Sequence, residues 1–170
     1  MNKLIFLDID GVVNTLIIGD KPFDNSGYGH INRDGFYYDL CGTEDGRVSN
    51  KQAVLWLNKL CKDSGAKIII SSTWRFCERI FTTEQCLRNT GLLPEIEIIG
   101  KTPRIPHGCR GDEIAEYIRT NYPNGVDAFV ILDDDADMGD LIDHLVQCHV
   151  DHGFGAPEYR KALEILKVDF

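Results

Sequence analysis

Five short apolar runs divide the chain into regular segments. Each run is four or five residues long, and the runs occupy residues 3–7, 67–70, 95–99, 128–132 and 145–149. Runs of this length and composition are typical of β-strands that are buried on both faces of a sheet. Because helical segments separate them, the pattern predicts an α/β fold with a doubly wound parallel sheet.

Apolar residues between these runs recur at intervals of three and four, as they do along one face of a helix. Ser49 is the predicted N-cap of the first helix, and Gly65 is its stop signal. Four further helices are predicted, one from Thr82 or Thr83 to Gly91, one over about 112–122, a short one between the aspartates 133–135 and the run at 145–149, and one around 159–166.

Residues 15–48 show neither the continuous apolar runs of the strands nor the spacing of three and four of the helices, and they are rich in glycine, asparagine, aspartate and aromatic residues. We predict a flap after the first strand, with a hairpin around residues 36–40. The remaining elements form one domain over residues 1–170, since a chain of this length ordinarily builds a single core.

No apolar run approaches the roughly 20 residues that a membrane-spanning helix needs. The first residues, MNKLIFLDIDG, contain a short apolar run that two aspartates interrupt, unlike the apolar core of a signal peptide. We therefore expect a cytoplasmic protein without a membrane partner.

The formal net charge is −9. Proteins that bind duplex nucleic acid usually carry a basic patch, so the bulk charge argues against that role. At least five of the acids, however, lie in two short motifs, where a divalent cation would offset part of their charge.

Polar side chains follow three of the predicted strands. Asp8 and Asp10 follow the first strand, Ser71 and Ser72 the second, and the aspartates 133–135 the fourth. Ligands of open parallel sheets bind at the carboxyl ends of the strands, so these residues are expected to share one crevice.

Carboxylates that share a crevice repel one another unless a cation lies between them. Oxygen ligands without histidine or cysteine favour Mg²⁺. A zinc site at Cys148, His149 and His152 is the weaker alternative, since this short cluster has no evident partner residues.

Three motifs in this order resemble those of the haloacid dehalogenase (HAD) superfamily. FLDIDGVVN is similar to its first motif, IIISS to its second and VILDDD to its fourth, and the resemblance covers essentially the whole chain. It implies a Rossmann-like core and an Mg²⁺-dependent phosphatase. The gaps between motifs are too short for a helical cap domain, so a nearly capless enzyme is expected.

The resemblance also assigns roles at the first and fourth motifs. Asp8 is the expected nucleophile that becomes an aspartyl phosphate, and Asp10 the expected proton-transfer partner, whose backbone carbonyl also binds metal. Asp134 is the expected acidic metal ligand, with Asp133 beside it. The metal set is therefore Asp8, Asp10, Asp134 and Asp133.

The phosphate-binding residues are less sharply defined by the motifs. Ser71 is the first choice for the phosphate-binding hydroxyl, and Ser72 is the alternate. Arg110 is the first choice for the basic residue of the third motif, with Lys101 and Arg104 as rivals in the same loop.

Two residues after the second motif suggest contact with a larger substrate. Arg75 is a candidate for binding a substrate phosphate or stacking on a base. Trp74 and the flap residues Tyr28, Phe36 and Tyr37 are candidates for base stacking, although all four aromatic residues are equally consistent with packing.

Within the superfamily, SSTWR, a basic loop with prolines, RGDEI and ILDDDADM are most similar to the HAD domain associated with RNA-repair proteins. This similarity implies a phosphorylated substrate such as an RNA or DNA end. Two alternatives remain, a phosphatase of nucleotides or sugar phosphates and a non-catalytic module that is phosphorylated on aspartate. The sequence leaves the oligomeric state open.

Overall fold

A computed structural model describes residues 2–15, 17–18, 21–22, 48–76 and 81–168, with only the backbone of 17–18 and 21–22. The flap residues Tyr28, Phe36 and Tyr37, and the hairpin predicted around 36–40, lie outside the described residues. The described strands are β1 (Lys3–Leu7), β2 (Ile17–Ile18), β3 (Lys21–Pro22), β4 (Lys67–Ile70), β5 (Ile98–Lys101), β6 (Ala128–Asp133) and β7 (Leu145–Gln147). The described helices are α1 (Lys51–Ser64), α2 (Thr83–Thr90), α3 (Arg110–Asn121) and α4 (Ala156–Ile165), with 3-10 helices at Thr73–Phe76 and Gly139–His144.

Five of these strands form one parallel sheet in the order β5-β4-β1-β6-β7. Both neighbours of β1 are in the same register, because Leu7 is aligned with Ile70 of β4 and with Leu132 of β6. The residues that follow these three strands are therefore brought to the same edge of the sheet.

Helices cover both faces of this sheet. Ile5 and Leu7 of β1 face a core cluster that includes residues of α1, α2 and α4. Leu4 and Phe6 face the other way and pack with Ile114 and Tyr117 of α3. This arrangement confirms the predicted doubly wound α/β fold, since alternate strand residues are buried on opposite faces.

The first helix begins one residue later than the prediction of Ser49 as N-cap. Asn50 is the N-cap, and its side-chain oxygen accepts a hydrogen bond of 3.0 Å from the backbone N–H of Ala53. The Ser49 hydroxyl instead accepts a hydrogen bond of 2.8 Å from the backbone N–H of Thr15. Both residue types are good N-caps, so the sequence could not distinguish them.

Other boundaries also differ from the sequence prediction. The strand predicted at 95–99 is displaced to Ile98–Lys101, because residues 94–96 form a turn. Arg88 stabilises this turn by donating to the carbonyls of Leu93 and Ile96. The strand predicted at 145–149 ends at Gln147, and the helix predicted at 112–122 begins at Arg110.

None of the helices in the described ranges is long and apolar enough to cross a lipid bilayer. The cytoplasmic location expected from the sequence stays a prediction.

Candidate active site

The sheet register places polar residues from four strands at one edge. Asp8 and Ser71 follow the aligned residues Leu7 and Ile70, and Asp133 is the last residue of β6. The backbone N–H of Asp8 donates to Leu132, and that of Ser71 donates to Leu7, so the three strand ends are hydrogen-bonded to one another. Thr102 joins this row, because its N–H donates to the carbonyl of Ile70.

Asp8, Asp133 and Asp134 form a compact cluster of carboxylates. One oxygen of each carboxylate lies within 4.8 Å of the others. Burial and the nearby charge of Asp133 raise the pKa of Asp8 well above its usual range, although Arg110 opposes this shift. Burial also raises the pKa of Asp133 and that of Asp134. The cluster is therefore costly to ionise until a cation binds.

Gly11 allows the first motif to pass close to this cluster. Its φ angle is +72°, a conformation that favours glycine. A Cβ atom at this position would lie 2.4 Å from Cγ of Asp134, far inside van der Waals contact. Glycine is therefore required here both by the backbone conformation and by the approach of Asp134.

Arg110 points at the acidic cluster from the first turn of α3. Its Nη1 lies 3.4 Å from Oδ1 of Asp8, and its Nε lies 3.8 Å from Oδ2 of Asp133. Burial lowers the pKa of Arg110, but the charges of Asp8 and Asp133 outweigh burial and raise it overall. These ion pairs explain why a cation occurs at a helix N-terminus, where the helix dipole alone would disfavour it.

Close packing holds the start of α3 against the loop after β6. The backbone N–H of Arg110 donates to the Asp137 carboxylate, and that of Gly111 to the Asp137 carbonyl. A Cβ atom on Gly111 would lie 2.0 Å from the carbonyl oxygen of Met138. Gly111 therefore lets α3 approach closely enough for Arg110 to reach Asp8.

Asp10 is held by two side-chain donors. Nδ2 of Asn14 donates to Oδ1 at 2.8 Å, and the indole Nε1 of Trp74 donates to Oδ2 at 2.9 Å. Burial raises the pKa of Asp10, while these two hydrogen bonds lower it. Asp10 as a whole is partly exposed.

Several buried polar atoms at the strand ends have no hydrogen-bond partner among the described residues. They are Oγ of Ser71, Oγ1 of Thr102, Nη1 of Arg110 and Oδ2 of Asp133. Nη1 of Arg110 and Oδ2 of Asp133 still take part in the ion pairs described above. Buried polar groups are usually hydrogen-bonded, so four atoms without a hydrogen bond in this region are suited to a polar ligand. The Ser72 hydroxyl, in contrast, accepts a hydrogen bond of 3.3 Å from the backbone N–H of Trp74, and its proximity lowers the pKa of Asp8 somewhat.

The Arg75 side chain is buried, although the sequence suggested that it contacts the substrate. Its side chain is only 2% exposed, and its Nη2 pairs with a Glu113 oxygen at 2.5 Å. Its remaining hydrogen bonds go to backbone carbonyls of the loops after β4 and β5, namely those of Ser71, Ser72, Thr102 and Pro103. These bonds occupy all the N–H groups of a guanidinium, so Arg75 has none left for a substrate.

The other candidates for substrate contact are divided between core and surface. Trp74 is fully buried, so the base-stacking role suggested by the sequence does not fit its position. Lys101 and Arg104 are exposed at and after the end of β5, and Lys101 lines a cleft of about 320 Å³ together with Glu84. Phe76, for which the sequence predicted no role, is 48% exposed, and Cζ of Arg104 lies 5.7 Å from its ring centroid.

The residues of the acidic cluster fit a divalent cation. They offer three carboxylates, and Oδ2 of Asp133 is a buried acceptor without a hydrogen bond. A donor set made of oxygens suits Mg²⁺. The cluster of Cys148, His149 and His152 is not among the candidate metal-binding groups of the described residues. Burial raises the pKa of the Cys148 thiol, which further disfavours the thiolate that zinc requires.

One family model matches residues 4–159, and its description is "HAD domain in Swiss Army Knife RNA repair proteins". No curated protein and no solved structure matches the chain. The match covers both acidic motifs, Ser71 and Arg110, and it confirms the resemblance found in the sequence. The chain therefore belongs to the family of HAD domains found in Swiss Army Knife RNA repair proteins.

Proposed function

We propose that this protein is a Mg²⁺-dependent phosphohydrolase that works through an aspartyl-phosphate intermediate on Asp8. The observation that carries the proposal is the meeting of Asp8, Asp133 and Asp134 with the Arg110 guanidinium at the carboxyl ends of β1 and β6. Negative groups that could hold a cation and a positive group that could hold a phosphate thus lie side by side.

In the first half of the reaction, a carboxylate oxygen of Asp8 attacks the phosphorus of a phosphate monoester. The bond between phosphorus and the ester oxygen breaks, and Asp10 gives its proton to the leaving oxygen. Arg110 and the Ser71 hydroxyl, which have hydrogen-bonding capacity to spare, stabilise the charge on the phosphoryl oxygens.

In the second half, Asp10 takes a proton from a water molecule as that water attacks the phosphorus. The bond between phosphorus and Asp8 breaks, which releases phosphate and restores the carboxylate. Mg²⁺ bound by Asp8, Asp133, Asp134 and the Asp10 carbonyl would supply positive charge that lowers the repulsion between nucleophile and phosphate.

The proposed substrate is a phosphorylated nucleic-acid end. The family description places related domains in RNA-repair proteins. The exposed Phe76 ring supports the same substrate class. The Arg75 guanidinium lies 4.1 Å from the centroid of this ring and also donates to the carbonyls of Ser71 and Ser72, so Arg75 connects the ring to the end of β4. A base next to the terminal nucleotide could stack on Phe76 beside Arg104 while the end phosphate occupies the crevice, and such stacking is worth roughly 1–3 kcal/mol per base.

Removal of the metal is expected to abolish phosphatase activity. Without a cation, the clustered carboxylates repel both one another and the incoming phosphate. Hydrolysis of an aryl phosphate should cease after treatment with a chelator and return when Mg²⁺ is added. Recovery with zinc but not with Mg²⁺ would contradict the proposed cofactor.

A 3′- or 5′-phosphorylated oligonucleotide is expected to lose its phosphate faster than the matching mononucleotide. The oligomer could place its end phosphate in the crevice and a neighbouring base on the exposed Phe76 ring, whereas the mononucleotide has no second base to stack. Phe76→Ala should lower kcat/KM for the oligonucleotide by about tenfold, which corresponds to one lost stacking contact, and leave an aryl phosphate unaffected. Leu55→Ala, which truncates a similarly exposed apolar side chain on α1, is the matched control.

Equal rates on oligomer and mononucleotide would favour the alternative of a small-molecule phosphatase. Stable phosphorylation of Asp8 without turnover of any substrate would favour the second alternative, a phospho-acceptor module.

A further inference from the structure

We infer that Trp74 is a positioning residue for the proton-transfer step, a role that rests on the proposed function of Asp10. Trp74 lies in the 3-10 helix after β4, whereas Asp10 lies in the turn after β1. A hydrogen bond from the indole N–H to Oδ2 of Asp10 joins these two segments.

The Asp10 carboxyl group is held at both oxygens. Asn14 donates to Oδ1 and Trp74 to Oδ2, so rotation of the carboxyl group would break a hydrogen bond on either side. The Asn14 donor belongs to the same turn as Asp10, because the N–H of Gly11 bonds the Asn14 carbonyl. Trp74 is therefore a contact that fixes Asp10 relative to the segment after β4.

The indole donor has little freedom to move. Trp74 is fully enclosed, and its ring belongs to the core cluster beneath α1 and α2. Its backbone N–H also donates to the Ser72 hydroxyl at 3.3 Å. Trp74 thus contacts Asp10 through its side chain and Ser72 through its backbone. The orientation of the Asp10 carboxyl group therefore depends on the position of the Trp74 indole.

A proton donor matters most when the leaving oxygen is a strong base. An alkyl phosphate needs the proton from Asp10, whereas a dinitrophenyl phosphate departs with little help. The kcat/KM value includes only the steps up to departure of the leaving group, so it isolates this half of the reaction. A defect in Asp10 positioning should therefore depend on the leaving group, and a general packing defect should not.

We expect Trp74→Phe, which removes the N–H donor, to lower kcat/KM for an alkyl phosphate at least tenfold. The same variant should change kcat/KM for dinitrophenyl phosphate by less than about threefold, since that leaving group needs little protonation. Tyr159→Phe is the matched control, because it removes an aromatic donor to a different carboxylate, that of Asp63. It should leave both rates unchanged.

A second variant separates hydrogen bonding from packing if Trp74→Phe folds poorly. Benzothienylalanine at position 74 keeps the shape of tryptophan but has sulfur in place of the N–H, and it should show the same leaving-group dependence. Equal losses for both substrates, or no loss for either, would overturn the inference. If Asp10→Asn itself retains normal kcat/KM for the alkyl phosphate, the proposed role of Asp10 fails instead.

Discussion

Replacing Asp8 with Asn is expected to lower kcat/KM for any phosphate monoester by at least about a hundredfold. Asn keeps the size and shape of the side chain but cannot attack phosphorus as an anion. The neutral amide also weakens the ion pair with Arg110 and removes one of three clustered carboxylates. Nucleophile, phosphate site and metal site are thus impaired by one substitution.

The same substitution is expected to stabilise the metal-free protein. The folded-state pKa of Asp8 is raised, so the folded protein holds this proton more tightly than the unfolded chain does. Stability then decreases as the pH rises above the ordinary aspartate pKa of about 3.9, because the unfolded chain ionises more readily. Asn does not titrate, so the stability of the Asp8→Asn variant does not decrease in this way. The difference in melting temperature between the variant and the parent protein should therefore increase with pH.

Two measurements test this pair of effects together. Steady-state hydrolysis gives the loss of kcat/KM, and thermal unfolding with a chelator gives the change in melting temperature. Asp140→Asn is the matched control, because Asp140 is an exposed aspartate outside the cluster. Near-normal turnover by Asp8→Asn would contradict the covalent mechanism, and a lower melting temperature would contradict the cost assigned to the buried charge.

The sequence predicted the strand-end residues well because two local rules determine where they lie. A continuous apolar run followed by acids or serines indicates a buried parallel strand and its carboxyl end. The register of β1 with β4 and β6 then brings Asp8, Ser71 and Asp133 together, as expected. Helix and strand boundaries were less accurate, because Ser49 and Asn50 are both suitable N-caps.

The contacts that the sequence did not reveal join residues far apart in the chain. Trp74 and Asp10 are 64 positions apart, and Arg75 and Glu113 are 38 apart. No periodicity encodes such a pair, and an arginine beside a phosphate motif suggests a ligand as readily as a buried ion pair. Thr102 had one usable signal, since it follows the end of β5 as Ser71 follows β4.

Arg75 illustrates how burial changes a functional interpretation. As a substrate contact, it would affect an oligonucleotide more than an aryl phosphate. As a buried residue, it instead connects the Ser71–Ser72 turn, the loop after β5 and Glu113 of α3, the helix that carries Arg110. Its loss should therefore disturb the whole crevice and the stability of the fold.

Replacing Arg75 with Met is expected to lower the free energy of unfolding by about 3–5 kcal/mol, because it leaves the largely buried Glu113 carboxylate without its cation. At roughly 2–4 °C per kcal/mol, the melting temperature should fall by about 10 °C. Activity toward an aryl phosphate should decrease together with activity toward an oligonucleotide, because both substrates use the Ser71 end of β4 that Arg75 holds. Adding Glu113→Gln should recover part of the stability, since it removes the unpaired charge.

The matched control for this prediction is Arg119→Met. Arg119 also pairs with a glutamate, Glu116 of the same helix α3, but its side chain is 73% exposed. An exposed pair contributes less than about 1 kcal/mol, so this variant should unfold nearly like the parent protein. If Arg75→Met kept the parent melting temperature and lost activity only toward the oligonucleotide, Arg75 would be a substrate contact, as the sequence first suggested.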